Sequence, residues 1–180
     1  MILSTQTDYL THRFGIEKGI RMLCEAGFDA LDFSMFALFS EKNPLNTEGN
    51  GYVENIKKIA SEYGVYFNQA HAPFPSSKEK DEEYNKKAFK AIVRAMEICN
   101  ILEIGVVIVH PTDISNKQEK KQYNLDFYNR LLPYCEKYNV KVALENMWGY
   151  DSVAKKIIPN VCSTAEELAE YVDALDSKYF

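Results

Sequence analysis

The chain has 180 residues, 46% hydrophobic and 26% charged, the composition of an ordinary globular domain. Its 21 Lys and Arg against 26 Asp and Glu give a net charge of -5 with no long basic cluster, which argues against an electrostatic grip on nucleic acid or an anionic membrane. No stretch reaches the roughly 18 apolar residues of a membrane span, and the start Met1-Ile2-Leu3-Ser4-Thr5-Gln6 lacks the basic and apolar regions of a signal peptide, so the expected location is cytoplasmic. Cys24, Cys99, Cys135 and Cys162 are scattered, with no C-x-x-C pair, and read as buried free thiols.

Short apolar runs alternate with stretches of helical period, the signature of βα units. Residues 2–5 form the first run, and Phe14, Ile20, Leu23 and Cys24 mark an amphipathic helix that Gly27 ends. Residues 30–34 read as strand two. A polar loop over 41–51 leads to a helix carrying Val53, Ile56, Ile59 and Ala60, stopped by Gly64. Strand three is 65–71. After the turn-rich Pro73-Phe74-Pro75-Ser76-Ser77, residues Tyr84, Ala88, Ala91, Ile92, Ala95, Cys99 and Leu102 fall on one helical face. The β-branched run 105–110 predicts a fourth strand covered on both sides. Leu125, Tyr128, Leu131, Leu132 and Cys135 mark the next helix, which Pro133 either kinks or restarts. Strand five is 140–145, and Ser163 with Glu166 matches the S-x-x-E capping box, predicting a last helix over 164–175. Five such units in one domain, 1–180, leave a doubly wound sheet or a (β/α)8 barrel.

Strands three, four and five end in His71, His110 and Glu145, three groups at one structural level. In a βα barrel, side chains at these strand ends converge on one mouth. Strand alternation places His110 on a face with Val106 and Ile108, Glu145 with Ala143, and His71 with Gln69 and Phe67. Two neutral imidazoles and a carboxylate suit a divalent metal such as zinc, manganese or cobalt, with positions open for water or substrate. A carboxylate at the end of the run Val140-Lys141-Val142-Ala143-Leu144 is costly unless it is paired or metal-bound. The non-metal alternative for Glu145 is an ion pair with Lys141 or Arg130.

The segments Gly27-Phe28-Asp29-Ala30-Leu31-Asp32, Asn68-Gln69-Ala70-His71-Ala72-Pro73-Phe74, Val109-His110-Pro111 and Ala143-Leu144-Glu145-Asn146-Met147 together resemble the xylose isomerase-like TIM-barrel superfamily, which includes sugar-phosphate isomerases and epimerases and endonuclease IV. The resemblance implies an α/β fold: a partial TIM (β/α)8-type barrel of about five parallel strands with helices outside, incomplete at the C-terminus because a full barrel runs to about 250 residues. It implies that Glu145 binds a divalent metal (zinc, manganese, cobalt or magnesium) and doubles as an acid or base, as in the epimerases. In the endonucleases the residues matching His71, His110 and Glu145 together hold zinc. In the complete barrel, the second glutamate of the proton shuttle comes from a later strand.

The expected function is therefore that of a sugar or sugar-phosphate isomerase/epimerase acting by metal-assisted proton transfer next to a carbonyl, on a small polar sugar-like substrate. The alternatives are an endonuclease IV-like zinc phosphodiesterase and a non-catalytic binding fragment. Trp148 and Phe74, just past strand ends, either stack on a sugar ring or pack their loops. Gln69 and Asn146, beside the ligands, are expected substrate contacts. Asp32 either contacts substrate, orients a ligand histidine or is structural. Met35, Phe36, Leu38 and Phe39 read as a pocket lid or a partner surface. Unpaired edges at strands one and five predict a homo-oligomer that covers them.

Overall fold

The computed structural model describes residues 1–37, 45 and 49–180. Five strands, β1 (Ser4–Gln6), β2 (Ala30–Ser34), β3 (Tyr66–His71), β4 (Val106–Ile108) and β5 (Lys141–Ala143), form one parallel sheet in chain order. A doubly wound sheet reverses its strand order at a switch point. Sequential order is instead the arrangement of a barrel wall, and it settles the choice that periodicity left open. Leu38, Phe39 and most of the loop expected over 41–51 lie outside the described residues. Among those described, no helix is long and apolar enough to cross a membrane.

The helices are α1 (Asp8–Phe14), α2 (Ile16–Glu25), α3 (Gly51–Glu62), α4 (Glu82–Ile101), α5 (Lys120–Asn129), α6 (Leu132–Tyr138) and α7 (Ala165–Leu175). Their apolar faces bury one side of the sheet. Ile20 and Leu23 of α2, Ile56 and Ile59 of α3, Ile92 and Met96 of α4 and Tyr128 of α5 join Leu31, Phe33, Val107, Val109 and Val142 in one core, each large side chain contributing about 1.5–3 kcal/mol by leaving water. The other side of the sheet is more open. Val106, Ile108 and Ala143 there are half-buried, and Tyr66 and Asn68 are exposed. At the edge of β5, Val142 N–H donates to the Tyr179 carbonyl at 2.8 Å, so the C-terminal residues occupy the next hydrogen-bonding position of the sheet.

Several boundaries differ from expectation for identifiable reasons. The first helix is two helices, because Gly15 adopts φ 86° and breaks the run after Phe14. Of the two readings of Pro133, the restart holds: it sits in the first turn of α6, where its missing N–H costs nothing. Thr164, rather than Ser163, caps α7: its Oγ1 accepts from Glu167 N–H at 3.1 Å, while Glu167 Oε2 accepts from Ser163 N–H at 3.1 Å, shifting the capping box by one residue. Strands four and five are shorter than predicted, ending at Ile108 and Ala143. The chain beyond Glu145 forms an unforeseen antiparallel hairpin, β6 (Trp148–Asp151) with β7 (Lys156–Pro159), whose turn is held by Asp151 Oδ1 accepting from Val153 and Ala154 N–H, both at 2.9 Å.

Phe67 does not share the face of Gln69 and His71. The β2–β3 register shifts after Leu31–Phe67, so that Asp32 pairs with Gln69. This bulge turns Phe67 toward the helices, edge-on to Phe33 at 5.4 Å, and leaves Asn68 and Gln69 both facing the open side, where they bond Ser4 and Asp32. Met35 is fully buried in the core rather than on a surface.

One close approach fixes the corner next to β1. A Cβ on Gly19 of α2 would lie 2.7 Å from Thr11 N and 2.8 Å from Leu10 C in α1. Gly19→Ala must therefore push α1 away, and overpacking of this kind costs about 1–3 kcal/mol. Urea unfolding is expected to show that loss with an unchanged m-value; an unchanged midpoint would mean that α1 is not held against α2 as described.

Candidate active site

Asp32 is only 3% exposed, in the middle of β2. Its two oxygens are used on one side of the sheet: Oδ2 accepts from Gln69 Nε2 at 2.7 Å, and Oδ1 lies 2.9 Å from His71 Nδ1. A carboxylate so placed holds the proton on Nδ1, which turns the Nε2 lone pair of His71 toward the open side. His71 ends β3 and pairs in register with Ser34 and Ile108. His110 lies two residues beyond β4 and Glu145 two beyond β5, so both stand on short extended segments past the strand ends.

These segments bring the three groups together. Glu145 Oε2 is 2.8 Å from His110 Nε2 and 3.8 Å from His71 Nε2. One donor atom from each residue falls within 4.8 Å of the others. A cation bound at 2.0–2.2 Å needs donors spaced by about 3.4 Å, so the set fits with small side-chain adjustments. Despite the short contact with His110, Glu145 Oε2 lacks hydrogen-bond geometry. That oxygen is buried without a hydrogen-bond partner among the described residues, which favours a cation between the groups over a closed hydrogen-bond network; His110 Nδ1, on the far side of the ring, is also without one. Neither Lys141 nor Arg130 pairs with Glu145: Lys141 is exposed, and the Arg130 guanidinium stacks on Phe89 at 4.4 Å. Burial pushes the His110 imidazole below its usual pKa, with His71 adding to the depression and Glu145 opposing it. This favours the neutral ring, the form that can donate a lone pair.

Aromatic rings wall the centre. Phe74 packs on His110 with centroids 4.7 Å apart, and Phe36 on His71 at 5.1 Å. Beyond Phe74, Pro111 and Met147 lies a cavity of about 300 Å³. Of the expected substrate contacts, Gln69 and Asp32 lie beside the centre, Phe74 flanks it, Asn146 is exposed next to Glu145, and Trp148 stands on the hairpin with 65% exposure. Asn124 of α5 is a positioning residue that periodicity missed. It is 1% exposed, accepts from Thr112 N–H at 2.8 Å and donates to the Thr112 carbonyl at 3.0 Å. Tyr128, one turn on, donates to the Val109 carbonyl at 2.7 Å. Together they fix the backbone on both sides of His110. The signal available was a polar residue on the face of Tyr128, Leu131 and Cys135, at spacings of four, seven and eleven.

The model of the family described as xylose isomerase-like TIM barrel matches residues 20–180. A protein of Acholeplasma laidlawii (strain PG-8A) named probable endonuclease 4 is 26% identical over 133 residues, covering 70% of this chain and 42% of that protein. A crystal structure of a D-tagatose 3-epimerase-like protein superposes with TM-score 0.73 at 23% identity, over 99% of this chain and 62% of its own. A structure of IOLI protein with a binding zinc atom superposes with TM-score 0.69 at 18% identity, over 99% and 60%. The chain thus spans less than two thirds of the length of each of these proteins. The two structural likenesses establish the fold.

If Asp32 orients His71, Asp32→Asn should weaken zinc or manganese binding about 10–100-fold while leaving the far-ultraviolet circular dichroism spectrum intact. Titration with a competing chelator measures this, and an unchanged affinity would remove Asp32 from the support of the site.

Proposed function

This chain belongs to the xylose isomerase-like TIM-barrel family, and we propose that its site is that of a sugar isomerase or epimerase acting by proton transfer next to a carbonyl. The observation that carries this reading is the open three-donor centre of His71, His110 and Glu145, walled by Phe36 and Phe74, in a chain of net charge -5. Three protein ligands leave positions free for substrate, as catalytic rather than structural sites do. A bound zinc, manganese, cobalt or magnesium ion would supply Lewis-acid polarisation of the substrate carbonyl and its neighbouring hydroxyl. Asp32 keeps His71 in the tautomer that offers Nε2, and Phe74 and Phe36 exclude water from one flank.

Glu145, whose side chain is 41% exposed, is the carboxylate within reach of a sugar at the open face. It takes the proton from the carbon next to the carbonyl, the C–H electrons pass into the substrate as an enediolate, and the proton returns to the same face. One carboxylate serves one face, which accounts for exchange and isomerisation; inversion at carbon needs a second acid on the opposite face.

A second reading, a zinc phosphodiesterase, is favoured by the likeness to the probable endonuclease 4. The excess of acidic groups weighs against it, because binding a phosphate backbone relies on Lys and Arg neutralising its charge.

The two readings separate in heavy water. With manganese and a panel of aldoses and ketoses, the chain is expected to wash deuterium into the carbon beside the carbonyl, seen by proton NMR, and Glu145→Gln to abolish the exchange. Absence of wash-in alongside zinc-dependent cleavage of DNA phosphodiester bonds would overturn the isomerase reading in favour of the phosphodiesterase.

A further inference from the structure

The segments that follow β4 and β5, with Glu167 of α7, border a second cavity beyond the first. It measures about 640 Å³ and lies between the start of α5 and the β6–β7 hairpin. Asp113 and Asn160 line both cavities, so the two adjoin across this pair, and the first is bordered by Phe74, whose ring packs on His110 and stands between that cavity and the three-donor centre. At about 300 Å³ the first cavity is at the small end for ligand pockets, which run to about 1,000 Å³. The second has room for a further ring.

The chemistry of the second cavity is polar and charge-balanced. Lys120 forms an ion pair with Asp113, and Lys117 makes no ion pair among the described residues. Glu167 supplies a second carboxylate. Asn160 uses its Oδ1 to accept from Val161 N–H at 2.7 Å, a bond that leaves its amide nitrogen available as a donor. Tyr150, 59% exposed, offers a ring face and a hydroxyl. Two lysines against two carboxylates give no net charge to attract a phosphate. Balanced charges, a side-chain amide and an aromatic face instead suit the alternating hydroxyls and C–H patches of an uncharged sugar ring.

We propose that this cavity is a subsite for a second, uncharged sugar ring, so that the substrate is a glycoside or disaccharide whose reacting ring sits at His71, His110 and Glu145. This rests on the isomerase or epimerase reading above and deepens it by naming the substrate class. The hairpin then has a role: it builds the far wall of the subsite from Tyr150 of β6 and Ile158 and Pro159 of β7.

The test compares three ligands that differ only at O6 of one sugar: D-fructose, D-fructose 6-phosphate and isomaltulose, which carries a glucosyl group there. The same comparison is made with D-glucose, D-glucose 6-phosphate and isomaltose. Binding to the 180-residue chain, loaded with manganese, is measured by calorimetry. In at least one series the disaccharide is expected to bind about tenfold more tightly than the monosaccharide, a difference of one well-placed set of contacts, and the phosphate no more tightly. Tyr150→Ala and Lys117→Ala should each reduce the ratio of disaccharide to monosaccharide affinity toward one. Equal binding of monosaccharide and disaccharide, tightest binding of the phosphate, or a ratio untouched by both variants would overturn the subsite while leaving the sugar reading in place. Failure of every sugar to bind would overturn both.

Discussion

The buried carboxylate of Asp32 is the constraint from which the rest of the site follows. An ionised group this far from water costs several kcal/mol unless it is paired and its oxygens are satisfied. Asp32 meets that condition with His71 on one oxygen and Gln69 on the other, and it can do so because of the bulge that puts Asn68 and Gln69 on the same side of β3. Without the bulge, regular alternation would carry Gln69 and His71 to the helix side or Phe67 to the open side. The register shift lets one strand serve an apolar core at Phe67 and a polar centre at His71. The backbone at this corner is pinned as well: Thr7 donates its N–H to the Asp32 carbonyl at 3.0 Å, and its Oγ1 accepts from Ser34 N–H at 3.0 Å. Thr7 directly precedes α1, the helix that Gly19 seats.

The remaining donors depend on the sheet being sequential and parallel. With β3, β4 and β5 adjacent, residues just past the strand ends stand side by side, and His110 and Glu145 reach His71 without long loops. Asn124 and Tyr128 hold the backbone around His110 from the helical layer, so the geometry of the centre is tied to the same packing that stabilises the fold. The hairpin that follows Glu145 adds a wall outside the sheet.

Much of this was legible in the sequence where period and position coincide. The apolar run before His110 and the face of Ala88, Ile92, Ala95 and Cys99 have one reading each, and the recurrence of a ligand-type residue at three successive strand ends indicated where they would meet. Other features depended on single residues whose effect is conformational. Gly15 at positive φ splits a helix that apolar spacing makes continuous. The bulge after Leu31 leaves no mark in hydrophobicity, because Phe67 is apolar on either face. Thr164 and Ser163 are both good caps with a glutamate three residues on, and the packing of Tyr171 and Leu175 decides between them. The hairpin has little signature in the sequence because its strands, Trp148–Asp151 and Lys156–Pro159, are short and largely exposed.

The account turns on two imidazoles and one carboxylate sharing a cation, and X-ray absorption at the zinc edge of the zinc-loaded chain tests that most directly. The predicted first shell is nitrogen and oxygen at about 2.0–2.2 Å, with the outer-shell scattering of two imidazole rings. Sulfur at about 2.3 Å, or the absence of the imidazole pattern, would contradict it.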